Sequence, residues 1–594
     1  MIKKILGLLT KKQKKGIWKV LFTIFAKTLI DLIGITLIIP FLLLLLNKGE
    51  ISSIPIVGKY LQDLYTTLNF PSYTHYFAFL IICLLFLLAI KGIVNILITR
   101  YQNKYVLNIY QYFSKQLYLA YYNKGYDFVK NNNVSDFAYR INTICYSFCL
   151  NIIMQIISLI AEGLIIIAMV LFLLIKSPTS AGVLLISILP SMIIYTLVIK
   201  KKIVKYGEKE MRSRVDLMQT ITDTFKGYPD IIIGNAFPLM EKRLNKNMDT
   251  ISTNRIKFSM VTNIPGILME ISMVLCIGFL IIYNGLSNSN TSLTLAVFGV
   301  ATMRIVPAVR SIISSWTTIK NSSYSIDVIY EGLANYKEKK QELITQTPTF
   351  SELIINNLSY SFPDRDVVLN NFSYKIKQGD RIGIKGESGV GKSTLYNIIL
   401  GLFPNWEKNI KVLDKNNKEL TVNQWQKIIG YVPQNVYIFN TSIAENIALN
   451  EDFNINREKK IYIKEILKGE NPNIHFEIPE HIKKKIDWCI EKAQLKDFIN
   501  TLPDGIFTTI GDAGSKLSGG QIQRIGIARA LYKSPQVLFF DEATSSLDYK
   551  TESEITEAIK EIAGENKDLT IIIIAHREST LEVCDKIINL NEFK

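Results

Sequence analysis

The sequence predicts an α-helical transmembrane bundle of six spans followed by an α/β domain built around a phosphate-binding loop. Three observations carry that prediction. Every long apolar run lies before about residue 320, the text after about residue 350 reads as ordinary soluble α/β sequence, and a GxxxxGK[ST] run stands between a strand and a helix in that second half. Two units are therefore expected, a membrane unit over 1–335 and a nucleotide-binding unit over 350–594.

Across 594 residues, 48% are apolar and the net charge is +16. Such a surplus suits nucleic acid, anionic lipid or an anionic substrate. Its placement separates them: Lys3, Lys4, Lys11, Lys12, Lys14 and Lys15 flank an apolar run, which is where membrane topology puts cations. The six cysteines form no CxxC pair and imply no disulfide framework. The run from Ile17 to Leu46 is too long for a signal-peptide core and reads as the first span.

Spans are expected near 17–46, 73–99, 150–175, 181–199, 262–283 and 292–316. Short links join the first to the second, the third to the fourth and the fifth to the sixth. The longer polar links are helical in character and basic, with Arg100, Lys104, Lys115 and Lys124 in one and Lys200, Lys201, Lys202, Lys205 and Lys209 in the other. Positive residues stay inside, so both termini are expected on the cytoplasmic side.

The link at 47–72 has its own pattern. Val57, Tyr60, Leu61, Leu64, Tyr65 and Leu68 recur at helical spacing, with Ser52, Ser53 and Pro55 before them and Pro71 after. An amphipathic helix over 57–68 is expected, either lying on the outer membrane surface or packed on the bundle.

Asp31, Lys91, Glu162, Glu270, Arg304 and Arg310 fall in or near apolar segments. A charge at the bilayer centre costs about 2.5–3.5 kcal/mol on insertion scales, so such residues face a cavity or a partner. Two readings stand for Lys91 and Arg304: they line a path for an anionic head group, or they snorkel or pair with Glu162 or Glu270 to fix the helices.

In the second unit Arg381–Lys385 alternates like a strand and leads into Gly386-Glu387-Ser388-Gly389-Val390-Gly391-Lys392-Ser393-Thr394. Glycines there let backbone N–H groups wrap phosphates at a helix N-terminus. Lys392 is expected on the β- and γ-phosphates and Ser393 on Mg²⁺. Gln536–Phe540 reads as a buried strand ending in Asp541, suited to the Mg²⁺ shell, and Glu542, suited to polarising the attacking water. A second anion-binding turn, Ser518-Gly519-Gly520-Gln521, opens another helix. One γ-phosphate does not need two such turns from one chain, so ATP is expected between two chains.

With these motifs the chain resembles the ABC exporter half-transporters, six spans followed by one ATPase domain, and the resemblance covers nearly its whole length. It implies ATP and Mg²⁺ as ligands and a homodimer with composite ATP sites. It implies further that Phe362 stacks on adenine, that Gln434 senses Mg²⁺, that Ser518, Gly519, Gly520 and Gln521 close on the partner's ATP, that Asp548 lines the dimer interface and that His576 meets the γ-phosphate. Coupling helices are implied near 122–129 and 227–235. A lysine-rich excursion at about 451–487 departs from the family pattern and reads as a solvated surface helix.

For cargo, the helix at 57–68, Lys91 and Met303-Arg304-Ile305-Val306-Pro307 with Arg310 resemble bacterial flippases of lipid-linked oligosaccharides. That resemblance implies flipping across the bacterial inner membrane, with Lys91 and Arg304 on the anionic head group; Pro265-Gly266 stands where such flippases carry a further cation. A multidrug, lipid or peptide exporter is the alternative. An ATP-gated channel or regulator is disfavoured by the intact Glu542, and a soluble DNA-repair ATPase is excluded by the spans.

Overall fold

The structure is a computed structural model of the whole chain. It describes all residues except 1, 37–62, 64, 68, 69, 71, 177, 195, 196, 198, 287–290, 335, 337–346, 362–366, 404, 405, 452–477, 512–516, 543–548, 576 and 594. Two compact units emerge: Met1–Lys124 with Phe128–Lys339, and Gly125–Asp127 with Lys340–Lys594.

The first unit is all helical: α1 (Ile2–Leu8), α2 (Lys11–Thr36), α3 (Tyr73–Tyr122), α4 (Val134–Ile175), α5 (Pro178–Ile194), α6 (Lys200–Lys226), α7 (Tyr228–Ile233), α8 (Phe237–Leu286), α9 (Thr291–Asn321) and α10 (Tyr324–Gly332). A helix stands at each of the six expected spans. Among the described residues, three are long and apolar enough by length and composition to cross a membrane: His75–Tyr122 within α3, Val134–Ile175, and Phe237–Ile282 within α8. Helices α3 and α8 run 50 residues each, each joining an apolar half to a polar half, and α8 continues through Pro265. Two π-helical turns interrupt α4, at Arg140–Ile144 and Cys149–Ile153.

Of the expected helix at 57–68 only Asp63, Tyr65, Thr66 and Thr67 are described; they are helical, and the Tyr65 ring meets Tyr76 edge-on. The rest lies outside the described residues, as does most of the lysine-rich excursion. The described end of that excursion enters the helix Glu480–Lys492, which buries Ile486, Cys489 and Ile490. That end keeps Glu480, His481, Lys483, Lys484 and Asp487 exposed and turns Ile486 inward, the two faces of a surface helix.

The second unit holds two sheets. Strands β1 (Phe350–Ser361), β2 (Val367–Lys377) and β4 (Ile410–Asp414) pair antiparallel in the order β2-β1-β4. The other sheet is parallel, in the order β5 (Ile429–Val432), β6 (Val537–Asp541), β7 (Thr570–Ile574), β3 (Arg381–Lys385), β8 (Lys586–Asn589). Strand β6 is buried at every position and β7 likewise, the continuous apolar run that a parallel sheet covered on both faces requires. Apolar clusters lie on both sides of it, one around Ile525, Ile527 and Phe540, the other around Tyr396, Trp425 and Phe539. The strands point the same way, so the loops that follow β3, β5, β6 and β7 gather at one edge. That edge is where open α/β sheets bind ligands.

Candidate active site

Helix α11 (Lys392–Ile399) follows β3, and the turn between them is the phosphate loop. Gly389 and Gly391 hold φ of 85° and 106°, a left-handed backbone that glycine adopts without the strain a side chain brings. A Cβ at Gly391 would stand 2.7 Å from Val368. Lys392 is buried, and its ammonium donates to the carbonyls of Gly386 (2.8 Å) and Glu387 (3.0 Å). Burial lowers its pKa, against the upward pull of Glu542 and then Asp541. The ammonium is thus held by two neutral acceptors of its own loop. Ser388, Val390, Ser393 and Thr394 complete the loop and the first turn of α11, with Val390 and Thr394 buried beneath it.

Asp541 ends β6, and burial together with Glu542 pushes its carboxyl up to about 6. Its Oδ2 accepts from Tyr431 at 3.3 Å, while Oδ1 is buried with no hydrogen-bond partner among the described residues. A buried carboxylate with an idle oxygen suits a hard cation. The residues fit Mg²⁺: Ser393, Gln434 and Asp541 would hold it, and it would neutralise charge on the β- and γ-phosphates.

Glu542 follows with φ 47°, a left-handed conformation costly for a non-glycine residue. Its N–H donates to the Ile574 carbonyl at the end of β7, which fixes the turn. Its Oε2 accepts from Gln434 Nε2 at 2.7 Å. The loop after β5 and the end of β6 thus join through a glutamine–carboxylate bond, with Lys392 close enough to feel both acids.

Helix α12 (Gly519–Tyr532) begins with Ser518 as N-cap. The Ser518 hydroxyl accepts from the Gln521 amide, and the Gln521 side chain returns to the Ser518 N–H, a full capping box. Gly520 is buried against Thr551, where a Cβ would approach Thr551 Cγ2 to 2.4 Å. Gln523, one turn into α12, donates to the Gln434 carbonyl at 2.7 Å. Sequence reasoning missed Gln523 and Tyr431. The available signal for Tyr431 is its place three residues before Gln434, and Gln523 stands in the helix that the signature turn opens. Phe362, Asp548 and His576 lie outside the described residues.

In the membrane unit, Lys91 is 3.1 Å from Asp31, and Arg304 is 3.4 Å from Asp31 and 3.5 Å from Glu162. Asp31 (α2), Lys91 (α3), Glu162 (α4) and Arg304 (α9) therefore form one charge-balanced cluster tying four helices, with Asn95 donating to Asp31 at 3.4 Å. Arg310 pairs with Glu270. The pairing of Arg304 with Glu162 follows the helix-fixing reading of Lys91 and Arg304, whereas Glu270 goes to Arg310. Asp31 as the partner of Lys91 is an addition that only the structure supplies.

Residues 36–306 match the family described as ABC transporter transmembrane region, and residues 369–545 match the family described as ABC transporter. The chain is an ABC half-transporter of the exporter type. As such it is an ATPase coupled to transport. Relatives include the ATP-dependent lipid A-core flippase of Francisella tularensis subsp. holarctica, 28% identical over 441 residues, covering 73% of this chain and 67% of the relative. The lipid A-core flippase of Salmonella typhimurium is 25% identical over 411 residues, covering 68% and 66%. A solved bacterial Atm1-family ABC exporter with ATP bound shares the fold, with a TM-score of 0.67 at 19% identity over 93% of this chain and 92% of that one.

Proposed function

We propose that two copies of this half-transporter close on ATP to flip a lipid-linked oligosaccharide across the bacterial inner membrane, both termini being cytoplasmic. The observation that carries the reading is the similarity to lipid A-core flippases over about seven-tenths of the chain. The ATP step follows from the residues at the sheet edge. Lys392 gives up the Gly386 and Glu387 carbonyls for phosphate oxygens, and the Ser518–Gln521 turn of one copy meets the ATP held by the other. Glu542 takes a proton from the attacking water, positioned by the Gln434 bond to its carboxylate. By the family resemblance Phe362 carries the adenine, Asp548 lines the interface and His576 faces the γ-phosphate.

Lys91 and Arg304 are the proposed head-group contacts. They hold Asp31 and Glu162 in the chain alone, so an anionic head group would bind by exchanging those carboxylates for its own charge. The test is translocation of a fluorescent polyprenyl-pyrophosphate oligosaccharide in proteoliposomes, comparing wild type with Lys91→Ala and Arg304→Ala. ATP-dependent translocation lost in both variants is the expected result. Absence of translocation by wild type removes the cargo, and unchanged translocation by both variants removes the contacts.

A further inference from the structure

An apolar cavity of about 260 Å³ opens between α1, α2, α3 and α4. Ile5 and Leu9 near the first helix, Val20 and Ile24 of the second, Tyr105 and Ile157 are among the side chains around it, and all its exposed lining is apolar. Gly16 shapes one wall. A Cβ there would come within 2.6 Å of the Tyr105 ring, so the glycine lets that ring lie against α2, where its hydroxyl donates to the Gln13 carbonyl at 2.9 Å.

The same helix carries charge between two of the residues that line the cavity. Lys11, Lys12, Lys14 and Lys15 are all exposed and lie between two lining residues, Leu9 and Ile17. None of the four is ion-paired among the described residues, whereas Lys4 is taken by Asp327 at 2.6 Å. No carboxylate side chain precedes Asp31 in the sequence. At 1.5 Å per residue, Lys14 stands about 9 Å along α2 from Val20. On the outer side of α2, Trp18 is 74% exposed and Phe22 72% exposed, the placement of an interfacial anchor followed by a lipid-facing surface. Cations, an aromatic anchor and apolar cavity walls thus share one short stretch of α2, the three kinds of surface that a phospholipid's head, interface and chain require.

We propose that this cavity takes one acyl chain of an anionic phospholipid of the cytoplasmic leaflet, with the lipid phosphate on the lysines of Lys11–Lys15. Juxtamembrane lysine clusters recognise anionic head groups in this way. A single chain commits to one occupant because the walls offer a bound head group no polar contact, and the free lysines repel a basic partner. Bound lipid would brace α1, which Lys4 ties to α10 through Asp327 and the Tyr330 ring. The site is independent of the proposed cargo.

The test uses the delipidated full-length protein in detergent, titrated with phosphatidylglycerol or with phosphatidylcholine of the same chains. Retained lipid is counted by native mass spectrometry, and melting temperature is read in parallel. Wild type is expected to hold one phosphatidylglycerol per chain at about a tenfold lower half-saturating concentration than phosphatidylcholine. Joint Lys11→Gln, Lys12→Gln, Lys14→Gln and Lys15→Gln should abolish that preference. Ile157→Trp, or Val20→Phe should the first variant not fold, fills the cavity and should weaken both lipids. Equal affinities in wild type, a preference that survives loss of the lysines, or a filled cavity that binds as before would each overturn the proposal. Failure to move a polyprenyl cargo would leave it standing.

Discussion

Asp31 on α2 lies 3.1 Å from the ammonium of Lys91 on α3, and its other oxygen faces Arg304 on α9 at 3.4 Å. The aspartate is 7% exposed. One acid thus answers two cations, and Glu162 answers Arg304 from the other side. Removing one member of a buried pair leaves its partner uncompensated, a loss of about 3–5 kcal/mol.

Arg304→Met should therefore lower the melting temperature of the purified protein well beyond what lost packing explains, because Glu162 is left charged among apolar helices. Adding Glu162→Gln should restore most of the loss, since Asp31 keeps Lys91. A double variant no more stable than Arg304→Met would show that the pair does not hold these helices.

Glu542→Gln should keep ATP binding and reduce phosphate release by about 10²–10⁴-fold, the range ascribed to general base catalysis. The amide can still meet Gln434 but takes no proton from water. Measured ATP occlusion together with phosphate release checks this, and sustained turnover would remove Glu542 as the base.

Asp541→Asn tests the cation site through pH. With its carboxyl raised to about 6 by burial and Glu542, the folded chain binds this proton more tightly than the unfolded chain does. The ionised side chain therefore costs stability that grows as pH rises from about 4 to about 6 and is fully present above. Without nucleotide, the asparagine variant should be more stable than wild type at pH 7, by about 3 kcal/mol, and the gap should close as pH falls to about 4. Mg²⁺ with ATP should stabilise wild type and not the variant. A pH-independent difference would sink the argument.

Gly520→Ala should weaken ATPase activity, because its methyl meets Thr551 Cγ2 and must push the signature turn away from its place. Thr551→Ser removes that methyl and should recover activity in the double variant. No recovery would show that the glycine is needed for its backbone and not for space.

Much of this is legible in the sequence. The phosphate loop at Gly386–Thr394 and the acids Asp541 and Glu542 announce themselves because each is tied to one strand and one turn. The Ser518 capping box is likewise written in four consecutive residues. Tyr431 on Asp541 and Gln523 on the Gln434 carbonyl are different, since each joins residues about a hundred positions apart. Nothing in local spacing sets those partners; the strand order β5-β6-β7-β3-β8 does.

The membrane charges make the same division. Their number, type and depth in apolar segments follow from the sequence alone, and the expense of an unpaired charge in lipid demands partners for them. Which partners they take is decided by the packing of α2, α3, α4 and α9, which puts Asp31 between Lys91 and Arg304. A local motif specifies its own geometry because its atoms are joined by few rotatable bonds. An ion pair between helices is specified only when the whole bundle has chosen its neighbours.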